Sequence, residues 1–194
     1  MSKRLLLLPC LLVLSGLVLA ACGSSNSEES KVEEAIETAA TSTNPADCAK
    51  TQTQKFMEQI TKESGQAALK SCEKEAEEGE NAESVTISNV EVEGSNATAE
   101  VALSGGGLDG QTLEVALVEE GGQWKVNEAV RFTKFDSAKL VETFEREIKK
   151  AGEAGSKFAT CFLEGLKRAD RAEVEKLFLE GSGAGFEEIA KSCK

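Results

Sequence analysis

Residues 96–132 read NATAEVALSGGGLDGQTLEVALVEEGGQWKVNEAVRF, and this stretch decides the fold. Its apolar residues alternate with polar ones at every second position, which is typical of β-strands that bury one face. The alternation stops at GGGLDG, residues 105–110, and again at Gly121-Gly122, because glycine favours turns. The stretch therefore predicts three strands joined by two short connections. On the last strand, the even spacing predicts one inward face, made of Trp124, Val126, Val130 and Phe132.

A fourth strand is expected just before these three. Residues 84–93, SVTISNVEVE, carry apolar side chains at odd positions up to Ile87 and at even positions from Val90. An extra residue in one strand of a pair shifts the inward face in this way, so we expect a β-bulge at Ser88-Asn89. Strands that follow one another through short turns pair as a meander. The sequence therefore predicts a four-stranded antiparallel sheet.

Apolar residues with helical spacing flank the sheet on both sides. Before the sheet we expect helices over 30–40, 44–61 and 65–78. After it we expect helices that begin at Asp136, Ser156 and Asp170, and a short last helix over 186–193. The predicted fold class is α+β: N-terminal helices packed on a curved antiparallel sheet, followed by a small disulfide-linked helical module.

The first residues have the composition of an export signal. Lys3 and Arg4 precede an apolar run that is shorter than the roughly 20 residues needed to span a membrane. The run ends in LAAC, residues 19–22, which resembles the lipobox of bacterial lipoproteins. This resemblance implies cleavage before Cys22, acylation of its thiol and anchoring at the extracytoplasmic face of the cell membrane. The polar segment 23–30 is then expected to be a short flexible tether.

Charge and missing residue types limit the chemistry that the chain can perform. It has 34 Asp and Glu against 22 Lys and Arg, a net charge of −12. We expect no nucleic-acid partner, because that binding depends on patches of Lys and Arg. The chain has no His and no Tyr, so imidazole is absent as a general base and as a metal ligand. We therefore expect no catalytic residue, no cofactor and no bound metal.

Four cysteines remain besides Cys22 and the one inside the apolar run. An even number in an exported chain is typical of disulfides, and four cysteines allow three pairings. We expect Cys48–Cys72 and Cys161–Cys193, because each pair brackets one helical stretch. A metal site is the alternative, and the absence of any CxxC spacing disfavours it.

Two pieces of the sheet carry a resemblance to a known family. They are VEVEGSNATAEVAL, residues 90–103, and LEVALVEEGGQWKV, residues 113–126. With the helices before them, they resemble the nuclear transport factor 2-like superfamily, the cone-shaped α+β fold of ketosteroid isomerases and limonene epoxide hydrolases. The likeness is greatest to its secreted or lipid-anchored members in actinobacteria. The likeness covers about residues 44–135, the predicted cone domain. The other predicted segments are a signal peptide (1–21), a lipidated cysteine with tether and short helix (22–43) and a C-terminal helical module (136–194).

The resemblance also implies a pocket between the concave face of the sheet and the helices. The predicted inward residues that would line this pocket are Val101, Leu103, Leu113, Val115, Leu117, Trp124 and Val126. Isomerases of the superfamily combine an Asp base with a Tyr donor, and this chain has no Tyr. We therefore expect a non-enzymatic module that binds an apolar small ligand or an envelope protein. Two alternatives stay open: a structural spacer that docks to an envelope protein, and a carboxylate-dependent isomerase or hydrolase.

Overall fold

The computed structural model describes residues 25–79, 81–150, 152, 156–180 and 193. The helices are α1 (Ser25–Thr41), α2 (Asp47–Thr51), α3 (Gln54–Thr61), α4 (Gln66–Glu78), α5 (Ser137–Lys150), α6 (Lys157–Arg168) and α7 (Arg171–Leu179). The strands are β1 (Ser84–Glu93), β2 (Asn96–Ser104), β3 (Thr112–Glu120) and β4 (Gln123–Lys134). The strands form one open antiparallel sheet in the order β1-β2-β3-β4, which confirms the α+β class and the meander. The export signal, Cys22 and residues 186–192 of the predicted last helix lie outside the described residues.

Helix α1 begins before the predicted N-terminus at residue 30. Residues 25–30, expected to be part of a flexible tether, are helical. Glu28 accepts hydrogen bonds from Lys31 Nζ at 2.7 Å and from Trp124 Nε1 at 3.1 Å. The latter bond ties the first turn of α1 to the sheet. The polar composition of this segment does not reveal that tertiary support, so the tether prediction was wrong for these residues.

The single helix predicted over 44–61 is divided into α2 and α3. Between them the backbone is extended, and Thr53 N donates to Val126 O at 2.9 Å. The Thr53 hydroxyl then accepts from Phe56 N at 3.2 Å and caps α3. Pairing with β4 and a favourable N-cap therefore replace the continuous helix.

The sheet contains the expected bulge and further ones on β4. The pairing of β1 with β2 shifts between Ser88 and Glu91, as predicted, and Asn89 adopts a φ of 52°. The pairing of β3 with β4 shifts at three places. As a result Ala129 is buried and Val130 is 42% exposed, so the prediction that Val130 faces inward was wrong. Bulges bend the strand that carries them, and those on β4 curve the sheet.

The C-terminal helices complete the same core as the sheet. Leu140 of α5 and Val174 of α7 belong to the buried cluster that contains the inward residues of β2, β3 and β4. Helix α3 holds the end of α7: Gln59 Nε2 donates to Leu179 O and Lys62 Nζ to Phe178 O, each at 2.7 Å. The division at 135/136 stays a prediction, although buried residues on both sides of it share one core.

Both expected disulfides are present. Cys48–Cys72 joins α2 to α4 and lies in a small buried cluster with Met57 and Ala68. Cys161–Cys193 joins α6 to the end of the chain. The pairing predicted from the helical stretches is therefore confirmed.

Candidate functional site

A cavity of about 1310 Å³ lies between the concave face of the sheet and the helices. The sheet contributes Val101, Leu103, Leu113, Val115, Val126 and Ala129 to its lining. The helices contribute apolar side chains from four elements: Ile36 of α1, Phe56 of α3, Phe144 of α5 and Phe178 of α7. The cavity is thus bordered by regular elements and lined mainly by apolar side chains, as sites for small apolar ligands usually are.

Five of the seven residues predicted to line a pocket lie along this cavity, and two do not. Val101, Leu103, Leu113, Val115 and Val126 line it. Leu117 and Trp124 are 1% and 4% exposed, and they lie further along the same face. We call the region of Ala97, Leu117 and Trp124 the filled end of the concave face, and the region of Val101, Leu113, Val115 and Ala129 the hollow end.

One polar part of the cavity lining lies beside the C-terminal end of α1, and α5 adds the cationic residues Lys139, Arg146 and Lys150. Ala82 N donates to Ala40 O at 3.0 Å, which places the segment before β1 against this end of the helix. The loop between β2 and β3 is adjacent, since Glu83 N donates to Ser104 O at 2.8 Å. Residues 78, 79, 81–83 and 104–109 all contribute to the lining. We call this region the polar mouth of the cavity.

Asp109 fixes the loop at the polar mouth. Its Oδ1 accepts from Gly105 N at 2.9 Å, and its Oδ2 lies 3.3 Å from Lys139 Nζ. The Gly105 N–H, followed by Lys139, holds the pKa of Asp109 below its ordinary value. Gly105 has a φ of +78°, and a Cβ there would come within 2.6 Å of Glu83 Cγ. The loop therefore requires glycine at this position.

The carboxylates around the cavity do not resemble a buried acid–base pair. Glu75, Glu78, Glu83 and Asp109 line the cavity, and each is at least partly exposed. A carboxyl that acts as a general acid or base near neutral pH needs a raised pKa, whereas the pKa of Asp109 is lowered. In the part of the chain that the structure describes, no cluster of three or more Cys, Asp or Glu is placed to hold a metal ion.

The buried glutamine side chains near the sheet differ in their hydrogen-bond partners. Gln59 bonds in both directions with the backbone of Ala129, and Gln111 does the same with Asp136, at 2.8–2.9 Å. Gln52 is 6% exposed, lines the cavity and donates from Nε2 to Ala39 O at 3.2 Å. The sequence prediction missed Gln52, because it placed this residue inside a continuous helix. The signal that was available is Thr53, a favourable N-cap residue three positions before Phe56.

None of the described helices is long and apolar enough to cross a membrane. Comparison with known proteins identifies no relative: no protein-family model, no curated protein and no solved structure matches this chain.

Proposed function

We propose that this protein is a lipid-anchored, extracytoplasmic binding module that holds an apolar small ligand in the cavity, without catalysing a reaction on it. The observation that carries the proposal is the cavity of about 1310 Å³, whose lining from the sheet is apolar except for Ser104 at the end of β2. Buried ligand sites commonly have volumes of about 300–1000 Å³. The cavity is therefore large enough for a ligand of lipid size.

The absence of His and Tyr from the sequence supports a binding role. The partly exposed carboxylates at the cavity and the lowered pKa of Asp109 support it as well. The cone-shaped superfamily that the sheet resembles accommodates unrelated activities, so the fold alone does not select one. The cavity is therefore a site of binding and not of catalysis.

The motif LAAC at residues 19–22 supports anchoring through Cys22. Since α1 already includes Ser25, only residues 23 and 24 separate Cys22 from the described part of the helix. Such a linker spans at most about 10 Å. The N-terminal end of α1 would then be next to the membrane surface.

Anchoring at this position also sets the distance of the polar mouth from the anchor. Glu28 lies near the N-terminal end of α1, and Ala40, beside the polar mouth, lies near the other end. The two residues are about 18 Å apart along the helix, at a rise of about 1.5 Å per residue. The mouth of the cavity would therefore be well separated from the acyl chains.

A titration with a polarity-sensitive apolar dye tests the cavity. Val115→Trp adds a large side chain to the hollow end and should abolish dye binding. Val118→Trp, on the other face of the same strand, is the matched control and should leave dye binding unchanged, because Val118 is not among the cavity residues. Equal dye binding by Val115→Trp and wild type, with both folded by circular dichroism, would contradict a ligand site in this cavity.

The anchor is tested by mass spectrometry of the protein from its own membrane. We expect a chain that starts at Cys22 and carries acyl chains. The Cys22→Ser variant should lose the acyl mass and leave the membrane fraction. An unmodified N-terminal cysteine, or membrane retention of Cys22→Ser, would contradict lipid anchoring and leave the cavity test unaffected.

A further inference from the structure

Gln52 has a buried acceptor to which no proton donor is supplied by the described residues. Its Oε1 lies 3.5 Å from Cys72 Sγ. Cys72 is bonded to Cys48, and a disulfide sulfur carries no hydrogen to donate. Exchanging the amide oxygen and nitrogen would place the oxygen against Ala39 O, 3.2 Å away, so the assignment of the two atoms is determined by this neighbour.

The other buried glutamines show that this arrangement is particular to Gln52. Gln59 Oε1 accepts from Ala129 N and Gln111 Oε1 accepts from Asp136 N, each at 2.8 Å. Both of these amides are satisfied within the protein, and neither lines the cavity. Gln52 is buried to a similar extent but lines the cavity, and its oxygen is left without such a donor.

A buried acceptor without a donor costs free energy, and native proteins rarely retain one without a reason. Gln52 and Cys72 both line the cavity, so the unpaired oxygen belongs to its wall. The surrounding lining includes Phe56, Val115 and Val126, which offer no donor from their side chains. A ligand that fills the cavity can supply the missing proton.

We propose that the cavity binds an uncharged apolar molecule with a hydroxyl group, and that this hydroxyl donates a hydrogen bond to Gln52 Oε1. This inference rests on the proposed binding function and adds the chemical class of the ligand. A carboxylate head group does not suit the position, because it would place its own lone pairs against Oε1. Gln52 thus acts as the specificity residue beside the apolar side chains that the sheet contributes to the cavity.

The test compares two isomers, decanol and methyl nonyl ether, which have the same atoms and similar apolar chains. Their affinities for the purified wild-type protein are measured by titration calorimetry. Decanol should bind about three- to tenfold more tightly, the preference that one net neutral hydrogen bond provides. In Gln52→Met, which keeps an apolar side chain of similar length, the two affinities should become equal.

Gln59→Met is the matched control, because it removes a buried amide whose oxygen is satisfied inside the protein. It should keep the preference for decanol. Equal affinities in wild type, or a preference for decanol that persists in Gln52→Met, would overturn the role of Gln52 while leaving the binding function intact. Failure of both isomers to bind wild type would overturn both proposals. If a variant does not fold, the ratio of the two affinities for the wild-type protein still tests the proposal.

Discussion

The concave face of the sheet is filled at one end and hollow at the other, although the same strands supply both ends. Leu113 and Leu117 lie on β3 and face the same side, and both are buried. Leu117 belongs to the filled end, near Trp124, whereas Leu113 lines the cavity. The alternation of a strand thus determines which side chains face inward. Whether that face is filled depends on the elements that cover it.

Helix α1 accounts for much of the difference. Its first half provides Val32, which is fully buried, and Glu28, which accepts the hydrogen bond from Trp124. Its second half presents Ile36 to the cavity and ends in the small side chains of Ala39 and Ala40, which also line it. Small side chains at this end leave space above the sheet. The hollow end therefore results from residue size along α1 together with the bulges on β4.

The largest expected effect is a difference in the free energy of unfolding between alanine variants of the two leucines of β3. Leu117→Ala should lower the free energy of unfolding by about 4–5 kcal/mol, because it leaves a new cavity in a packed region. Leu113→Ala should cost about 2–3 kcal/mol, because part of its side chain already faces open space. Urea unfolding of both variants measures the difference. Equal losses would show that the hollow end is packed as tightly as the filled end.

The next effect concerns the two disulfides. Replacing Cys48 and Cys72 with alanine should cost about 3 kcal/mol of stability, the value expected for closing a loop of this length. It should also weaken dye binding, because Cys72 lines the cavity.

Replacing Cys161 and Cys193 is the matched control for this disulfide. The loss of stability should be similar, but dye binding should be retained, since neither residue is part of the lining. An equal loss of dye binding in the two double variants would contradict a local role for Cys72 in the cavity wall.

The smallest expected effect is the pH dependence of the loop at the polar mouth. The pKa of Asp109 is lowered from its ordinary value of 3.8, so the ionised form favours the folded state. Its contribution is complete at pH values above 3.8 and is lost as the pH falls through the lowered pKa. Asp109→Asn should therefore lower the melting temperature near neutral pH, and the difference from wild type should shrink at about pH 3. A difference that stays constant between the two pH values would argue against ionisation of Asp109 as the cause.

Much of the sheet could be predicted from the sequence, because each strand shows its alternation directly. The bulge in β1 was visible because it shifts the inward positions by an odd number of residues. The register shifts on β4 could not be seen in the sequence. Val126 and Phe132 both face inward and are an even number of residues apart, as they would be in a regular strand. Only the burial of Ala129 and the exposure of Val130 reveal the shifts. Because the number of extra residues between Val126 and Phe132 is even, the alternation of inward and outward side chains is the same before and after them.

The cavity itself could be predicted only in part. The alternation of apolar residues along the strands predicted the sheet residues that line the cavity. It also predicted Leu117 and Trp124, which do not line it. That Leu117 and Trp124 do not line the cavity depends on α1, and the first turns of this helix have the composition of a polar tether. Gln52 was hidden for a related reason, because a tertiary contact between Thr53 and Val126 interrupts the helix. Both failures come from contacts between residues far apart in the sequence, which local patterns do not contain.

Native mass spectrometry of the protein gently extracted from its own membrane tests whether the hollow end is a ligand site. We expect an additional, dissociable mass on the wild-type protein, absent from Val115→Trp and retained by Val118→Trp. Its composition should be that of an uncharged apolar molecule with a hydroxyl group. The same extra mass on Val115→Trp, or wild-type protein without any extra mass, would show that the hollow end is not a ligand site.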